Sequence, residues 1–235
     1  MNANRNEAHK RENPPSAELI QQFRGKVGAL IYTTPGVRVD ACAAISRLSR
    51  AQTFPTERLD KWADKVIIYL AQTAHMGITL DGDAPDADVL FAQSDSDWAV
   101  GHSTTGWAIY LAGTCIHWAS KRQTCIAMST TEAEIIAASS LALEVVYMRR
   151  LLAELGMPQG RTPLYVDNSG AVELSRDRKS CHRSRHVDRR FFKVRELHAL
   201  EEIRVEHIDT HANSSDLLTK PLTASSKVLR APTYP

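Results

Sequence analysis

Two glutamates and a scatter of aspartates are the residues of this sequence with chemistry to offer. Glu132 and Glu134, in "STTEAEIIAASS", sit two positions apart at the mouth of an apolar helical run. Helical residues advance about 100° each, so the two side chains lie roughly 200° apart and serve different faces. Ala138, Leu141, Val145, Met148 and Leu152 fall within about 40° of Glu134, which therefore shares the stripe turned to the protein body. Ser129 with Glu132, or Thr131 with Glu134, has the spacing of a capping box. If the first forms, Glu134 is left facing inward, where a carboxylate needs a cation or a donor. Three other acids end apolar runs or open a motif: Asp95 after "VLFAQS", Asp167 after "TPLYV" and Asp216 in "DLLTKPL". Asp97 is an alternative to Asp95, because alternate strand residues share a face. Taken singly, each aspartate reads as a turn former or cap. As a set, acids at neighbouring strand ends with one from a helix mouth make an oxygen-ligand site suited to Mg²⁺, or to Mn²⁺. Two such ions suit in-line attack on a phosphodiester.

The elements that must position these acids can be read from the pattern. Residues 1–15, low in apolar content and ending in Pro14 and Pro15, read as a disordered leader. Residues 16–82 are helical in texture: "SAELIQQFRGKVGALIY", "DACAAISRLSRA" and "PTERLDKWADKVIIYLAQT" predict three short helices. The turn formers of "DGDAPDAD" mark a boundary. Beyond it "VLFAQSD", "GWAIYLAG" and "TCIHWAS" read as a strand meander. A helix from about Thr131 to Leu155 follows, ending at Gly156 as a C-cap. Then come strand "TPLYVD", a helix after Asn168, a basic helix from about Ser184 to Leu200, and strand "IRVEHID". Three strands, helix, strand, helices, strand is an α/β layout around one sheet, over residues 88–222, with a tail at 223–235.

The 235 residues carry 43% hydrophobic and 24% charged residues and a formal net charge of +2, so local charge matters more than the total. Four widely spaced cysteines with no C-x-x-C pair exclude a zinc ribbon and a disulfide scaffold and predict a reducing, intracellular compartment. No apolar run approaches the roughly 20 residues of a membrane span.

"SDSDW", "STTGW", "SKRQTCIAMSTTEAEIIA", "LYVDNSGAVELS", "HRSRHVDRRFFKVREL" and "DLLTKPL" together resemble the ribonuclease H domain of copia-type LTR retrotransposon polyproteins, in order and spacing. "FRGKVGALIY" and "AISRLSR" resemble the segment joining the reverse transcriptase to that domain, while "TTPGVRVD" departs from it. The resemblance implies a ribonuclease H-like mixed five-stranded sheet flanked by helices, behind an N-terminal helical segment. It implies metal-binding acids at Asp95, Glu134, Asp167 and Asp216, favours Asp95 over Asp97, and places His211 where many such enzymes carry a mobile catalytic histidine. The implied activity is two-metal hydrolysis of the RNA strand of an RNA–DNA hybrid during retrotransposon reverse transcription, beside a reverse transcriptase polymerase domain. A ribonuclease H-fold module that binds nucleic acid without turnover is the alternative. "YVDN" at Tyr165–Asn168 imitates a polymerase Y-V-D-D, but no upstream palm aspartate accompanies it.

Substrate contacts are expected from Asn168 and Ser169 by position, along with backbone groups near Ser96 and Trp98. On the basic helix, Arg185, Arg189 and Lys193 share a face opposite Val187, Phe191, Val194 and Leu197. His182 and His186 have the i, i+4 spacing of a metal pair beside Cys181, but no fourth ligand or H-E-x-x-H supports zinc.

Overall fold

The computed structural model describes residues 14–83, 88–99, 101–176 and 185–220, and of residues 185–191 the backbone alone. The leader at 1–13, the tail at 223–235, and Cys181 and His182 lie outside the described residues. The chain separates into two compact units, one ending at Gly77 and the other beginning at Ile78.

The first unit is three helices: α1 (Ala17–Thr33), α2 (Cys42–Ser49) and α3 (Glu57–Gln72). Ser16 and Thr56 cap α1 and α3, each accepting the backbone N–H three residues on, Leu19 and Leu59. Phe23, Val27 and Leu30 of α1 lie on one face and pack with Ala41, Ile45, Leu48 and Ala63. Each large apolar side chain so buried is worth roughly 1.5–3 kcal/mol.

The second unit holds β1 (Phe91–Asp97), β2 (Thr104–Leu111), β3 (Thr114–Arg122), α4 (Thr130–Glu154), β4 (Thr162–Val166), α5 (Ser169–Arg176), α6 (Arg185–Ala199) and β5 (Ile203–His207). The strand order is β3-β2-β1-β4-β5. β1, β2 and β3 pair antiparallel, whereas β4 pairs parallel with both β1 and β5. The β2–β3 hairpin turns through Ala112 and Gly113, both at positive φ (51° and 68°), the geometry that a two-residue hairpin needs to match strand twist. α4 stops at a Schellman motif: Gly156, at φ 83°, donates to Ala153 and Met157 donates to Leu152. The core joins Leu90, Ala92, Trp107 and Ile109 of the meander to Ile135, Leu141 and Val145 of α4 and to Leu164, Val166, Ile203 and Val205 of the parallel strands. Trp107 is thus a core residue, whereas Trp98 is about half exposed.

Parallel pairing through β1 and β4 has one consequence for function. It brings the C-terminal ends of β1, β4 and β5 to the same rim of the sheet, and the N-terminus of α4 packs against β1 and β2 there. A short 3₁₀ turn, Ser214–Leu218, returns the chain onto β1 and β2.

Candidate metal centre

At that rim Asp95 of β1, Glu134 of α4 and Asp167, the residue after β4, each offer a carboxylate oxygen within 4.8 Å of the other two. Asp95 and Glu134 are buried and Asp167 is half-buried. Sequence reasoning on helical phase separates the two glutamates as the structure does. Ser129 caps α4 by accepting from the Glu132 N–H (3.1 Å), and the Glu132 carboxylate accepts from Met128 N–H (2.8 Å), one residue short of the cap itself. Glu134 turns inward instead. Its Oε1 accepts from both the N–H and the hydroxyl of Ser96 (2.9 and 2.8 Å), while its Oε2 is buried with no hydrogen-bond partner among the described residues.

Each carboxylate of the cluster is pushed above its usual range. Burial raises Glu134 to about 8, with the neighbouring Asp95 and Asp167 adding to the shift and the Ser96 bonds opposing it. Burial likewise raises Asp95 to about 6, against the donated Thr219 hydroxyl and with repulsion from Asp167 and Asp216. Asp167 also goes up through burial, partly offset by a hydrogen bond from Thr210 (3.3 Å) and by Lys220. Three like charges this close, with one oxygen left unsolvated, call for protons or a cation. The donor set is oxygen only, which fits a hard divalent ion such as Mg²⁺ or Mn²⁺.

Asp216 lies on the 3₁₀ turn and is half-buried. Its charge reaches Asp95 and Asp167, but it is not among the three clustered acids, and its carboxylate pairs with the ammonium of Lys220. His211 is exposed on the loop after β5, with its backbone N–H donating to Asp209 (2.8 Å). Asn168 spends its side-chain oxygen on the Ala171 N–H (2.9 Å), starting α5, and Ser169 is exposed beside it. On the basic helix, Lys193 pairs with Glu196 (3.0 Å). Arg176 and Arg195 donate to the main-chain oxygens of Val205 and Leu174, so these two cations brace the fold. The side chains of Arg185, Arg189 and His186 lie outside the described residues.

Several residues around the cluster escape a sequence reading. Ser96 holds Glu134, Thr219 donates to Asp95, and Gly106, opposite Asp95 on β2, leaves room for the turn. "DLLTKPL" contains Thr219 and Lys220, yet nothing in their spacing points at Asp95.

A mixed sheet of order β3-β2-β1-β4-β5 with acids gathered at the β1 and β4 ends defines the ribonuclease H-like class. No protein-family model matches the sequence. The chain is 33% identical over 202 residues to the retrovirus-related Pol polyprotein from transposon TNT 1-94 of Nicotiana tabacum, covering 84% of this chain and 15% of that one. It is 34% identical over 210 residues to the corresponding polyprotein from transposon RE1 of Arabidopsis thaliana, covering 87% and 14%. Among solved structures it is similar to LC11-RNase H1, isolated from compost by a metagenomic approach, at 14% identity and a TM-score of 0.44, over 56% of this chain and 92% of that one. Retrovirus-related Pol polyproteins of copia-type transposons are thus homologues of this chain over most of its length. It spans about one seventh of the length of these relatives.

Proposed function

We propose that the second unit is a divalent-metal-dependent ribonuclease H, hydrolysing the RNA strand of RNA–DNA hybrids in retrotransposon reverse transcription. One observation carries this reading: carboxylate oxygens from β1, α4 and the residue after β4 lie within 4.8 Å of one another, and Glu134 keeps a buried oxygen without a partner among the described residues. Asp95, Glu134 and Asp167, with Asp216 at the edge, are the residues to hold Mg²⁺ or Mn²⁺. Two such ions, when bound, supply an activated water and charge stabilisation for the departing 3′ oxygen. Ser96 fixes Glu134 from the strand side, and burial keeps bulk water off the Asp95 and Glu134 oxygens. His211 is exposed on the loop that also sends Thr210 to Asp167, and is the proposed mobile histidine of the site.

In the last turn of α6, His198 Nδ1 accepts from the Val205 N–H of β5 (3.4 Å). Arg185, Arg189 and Lys193 are proposed to contact backbone phosphates, and Asn168 and Ser169 to line the path to the acids. Recognition of RNA would come from 2′-hydroxyl contacts across the shallow minor groove. The reverse transcriptase polymerase domain is the proposed partner of the helical unit. No helix of the described residues is long and apolar enough to cross a membrane.

The test is cleavage of a labelled RNA–DNA hybrid by the full chain with Mg²⁺. Cleavage that is lost in Asp167→Asn while hybrid binding persists supports the enzyme. Hybrid binding with no cleavage by the unaltered chain leaves the non-catalytic binding module instead.

A further inference from the structure

We propose that Thr219 is a positioning residue for the acid cluster: its hydroxyl fixes the plane of the Asp95 carboxylate for a divalent ion and ties Asp95 to the turn that carries Asp216. The inference rests on the nuclease reading above, since it takes the cluster to hold metal.

Thr219 is fully buried one residue beyond the 3₁₀ turn. Its Oγ1 donates to Asp95 Oδ2 and also lies 3.0 Å from the main-chain oxygen of Asp216. A threonine hydroxyl has one proton for these two acceptors. An ionised carboxylate is the stronger acceptor, so the proton goes to Asp95 whenever Asp95 is charged. With one oxygen held, rotation of the carboxylate is blocked, and the direction of its second oxygen is set before any ligand arrives.

Packing fixes Thr219 as firmly as the hydrogen bond does. Gly106 is the cross-strand neighbour of Asp95. A Cβ at Gly106 would stand 2.7 Å from Thr219 Cγ2, 2.8 Å from Leu218 Cβ and 3.0 Å from the Ser215 oxygen, so only glycine lets the turn descend onto β2. The turn is also latched to β1: Asn213 Nδ2 donates to the Ser94 oxygen (2.9 Å), and the Ser214 N–H and hydroxyl donate to Gln93 Oε1 (3.0 and 2.6 Å). Thr219 therefore has its methyl seated on a bare strand and its hydroxyl aimed at the acid. The sequence pairs a missing side chain on β2 with a bifunctional one beyond the turn.

The experiment measures Mn²⁺ binding by the full chain, by paramagnetic resonance of the free ion, for the unaltered chain and for T219V, T219S and T219A. T219V keeps the shape and loses the hydroxyl, and its Mn²⁺ affinity is expected to fall about 10- to 100-fold, the range for a group that orients a ligand. T219S keeps the hydroxyl and is expected to stay within about threefold of the unaltered chain, where T219A falls as T219V does. The Mg²⁺ concentration giving half-maximal hybrid cleavage should rise in the same order. Should T219V fold poorly, the T219S and T219A pair reads the same hydroxyl. Unchanged affinity in T219V, or in T219A where that pair is the readout, overturns the proposal. A loss in T219S equal to that in T219A also overturns it, by assigning the effect to packing. Absence of Mn²⁺ binding by the unaltered chain overturns the nuclease reading and this inference together, so the two failures are distinguishable.

Discussion

Each of the two units buries carboxylate, and they do so in opposite ways. In the helical unit Asp40 accepts two hydrogen bonds from Arg38 (3.0 and 2.8 Å) and one from the Tyr69 hydroxyl (2.8 Å). Arg38 is itself buried and donates onward to Leu70 and Thr73. Burial pushes Asp40 up, but the bonds from Arg38 and Tyr69 outweigh it, and the carboxyl ends below its usual range. In the sheet unit Asp95, Glu134 and Asp167 receive, among the described residues, hydroxyls and one backbone N–H, and all three go up. Among the described residues Lys220 acts on Asp95 and Asp167, and His207 on Asp167, but Lys220 is itself bonded to Asp216. Asp40 has its counter-charge beside it, while the acid cluster is left short of one, as a site proposed to take a cation should be.

The contrast reverses the expected response to pH. Asp40 has a lowered pKa in the folded state, so its contribution is complete above the ordinary carboxylate range and is lost as pH falls through the lowered value. Glu134, raised from 4.5 to about 8, keeps a proton in the folded state that the unfolded chain has released. Without metal, its effect is therefore to lower stability as pH climbs from about 4.5 to about 8. A divalent ion that binds the ionised cluster offsets that loss and releases protons.

The sharpest way to break the comparison is Asp167→Asn, which should lower hybrid cleavage by more than about 100-fold, beyond what a merely orienting group gives, with hybrid affinity retained. Retained cleavage would place the acid cluster with the structural carboxylates. Asp40→Ala should cost the helical unit roughly 3 kcal/mol in urea unfolding, because Arg38 is left buried and unpaired. A neutral outcome would remove the structural half of the contrast. Glu134→Gln should stabilise the metal-free chain at pH 8 by roughly 2 kcal/mol and flatten its melting temperature between about pH 5 and 8. A mutant that melts lower than the parent at pH 8 would show Glu134 to be partnered after all. The smallest effect is expected for Asp216→Asn. This acid is already paired with Lys220, and cleavage should fall only about tenfold, recoverable with added Mg²⁺. A loss exceeding that of Asp167→Asn would put Asp216 at the centre of the cluster.

Much of the arrangement is legible in the chain because it follows from local rules. The inward turn of Glu134 comes from the 3.6-residue period and from the Ser129 cap, both settled within one helix. The ends of α4 follow from Ser129 and Gly156, whose chemistry acts within a few residues. Strands in "VLFAQSD" and "TPLYVD" follow from short apolar runs bounded by turn formers. The basic helix is legible as an element, but not the use of Arg176 and Arg195, which donate to carbonyls 29 and 21 residues away.

Local pattern thus established that Glu134 points inward and roughly where the strands lie, since periodicity and capping need no partner from elsewhere in the chain. Only tertiary pairing decided their company. The Thr219 hydroxyl reaches Asp95 across 124 positions, and Asn213 reaches Ser94 across 119. Gly106 matters only because a turn more than 100 residues later lands on it. Such contacts depend on sheet order and on close packing, which no short stretch of residues encodes.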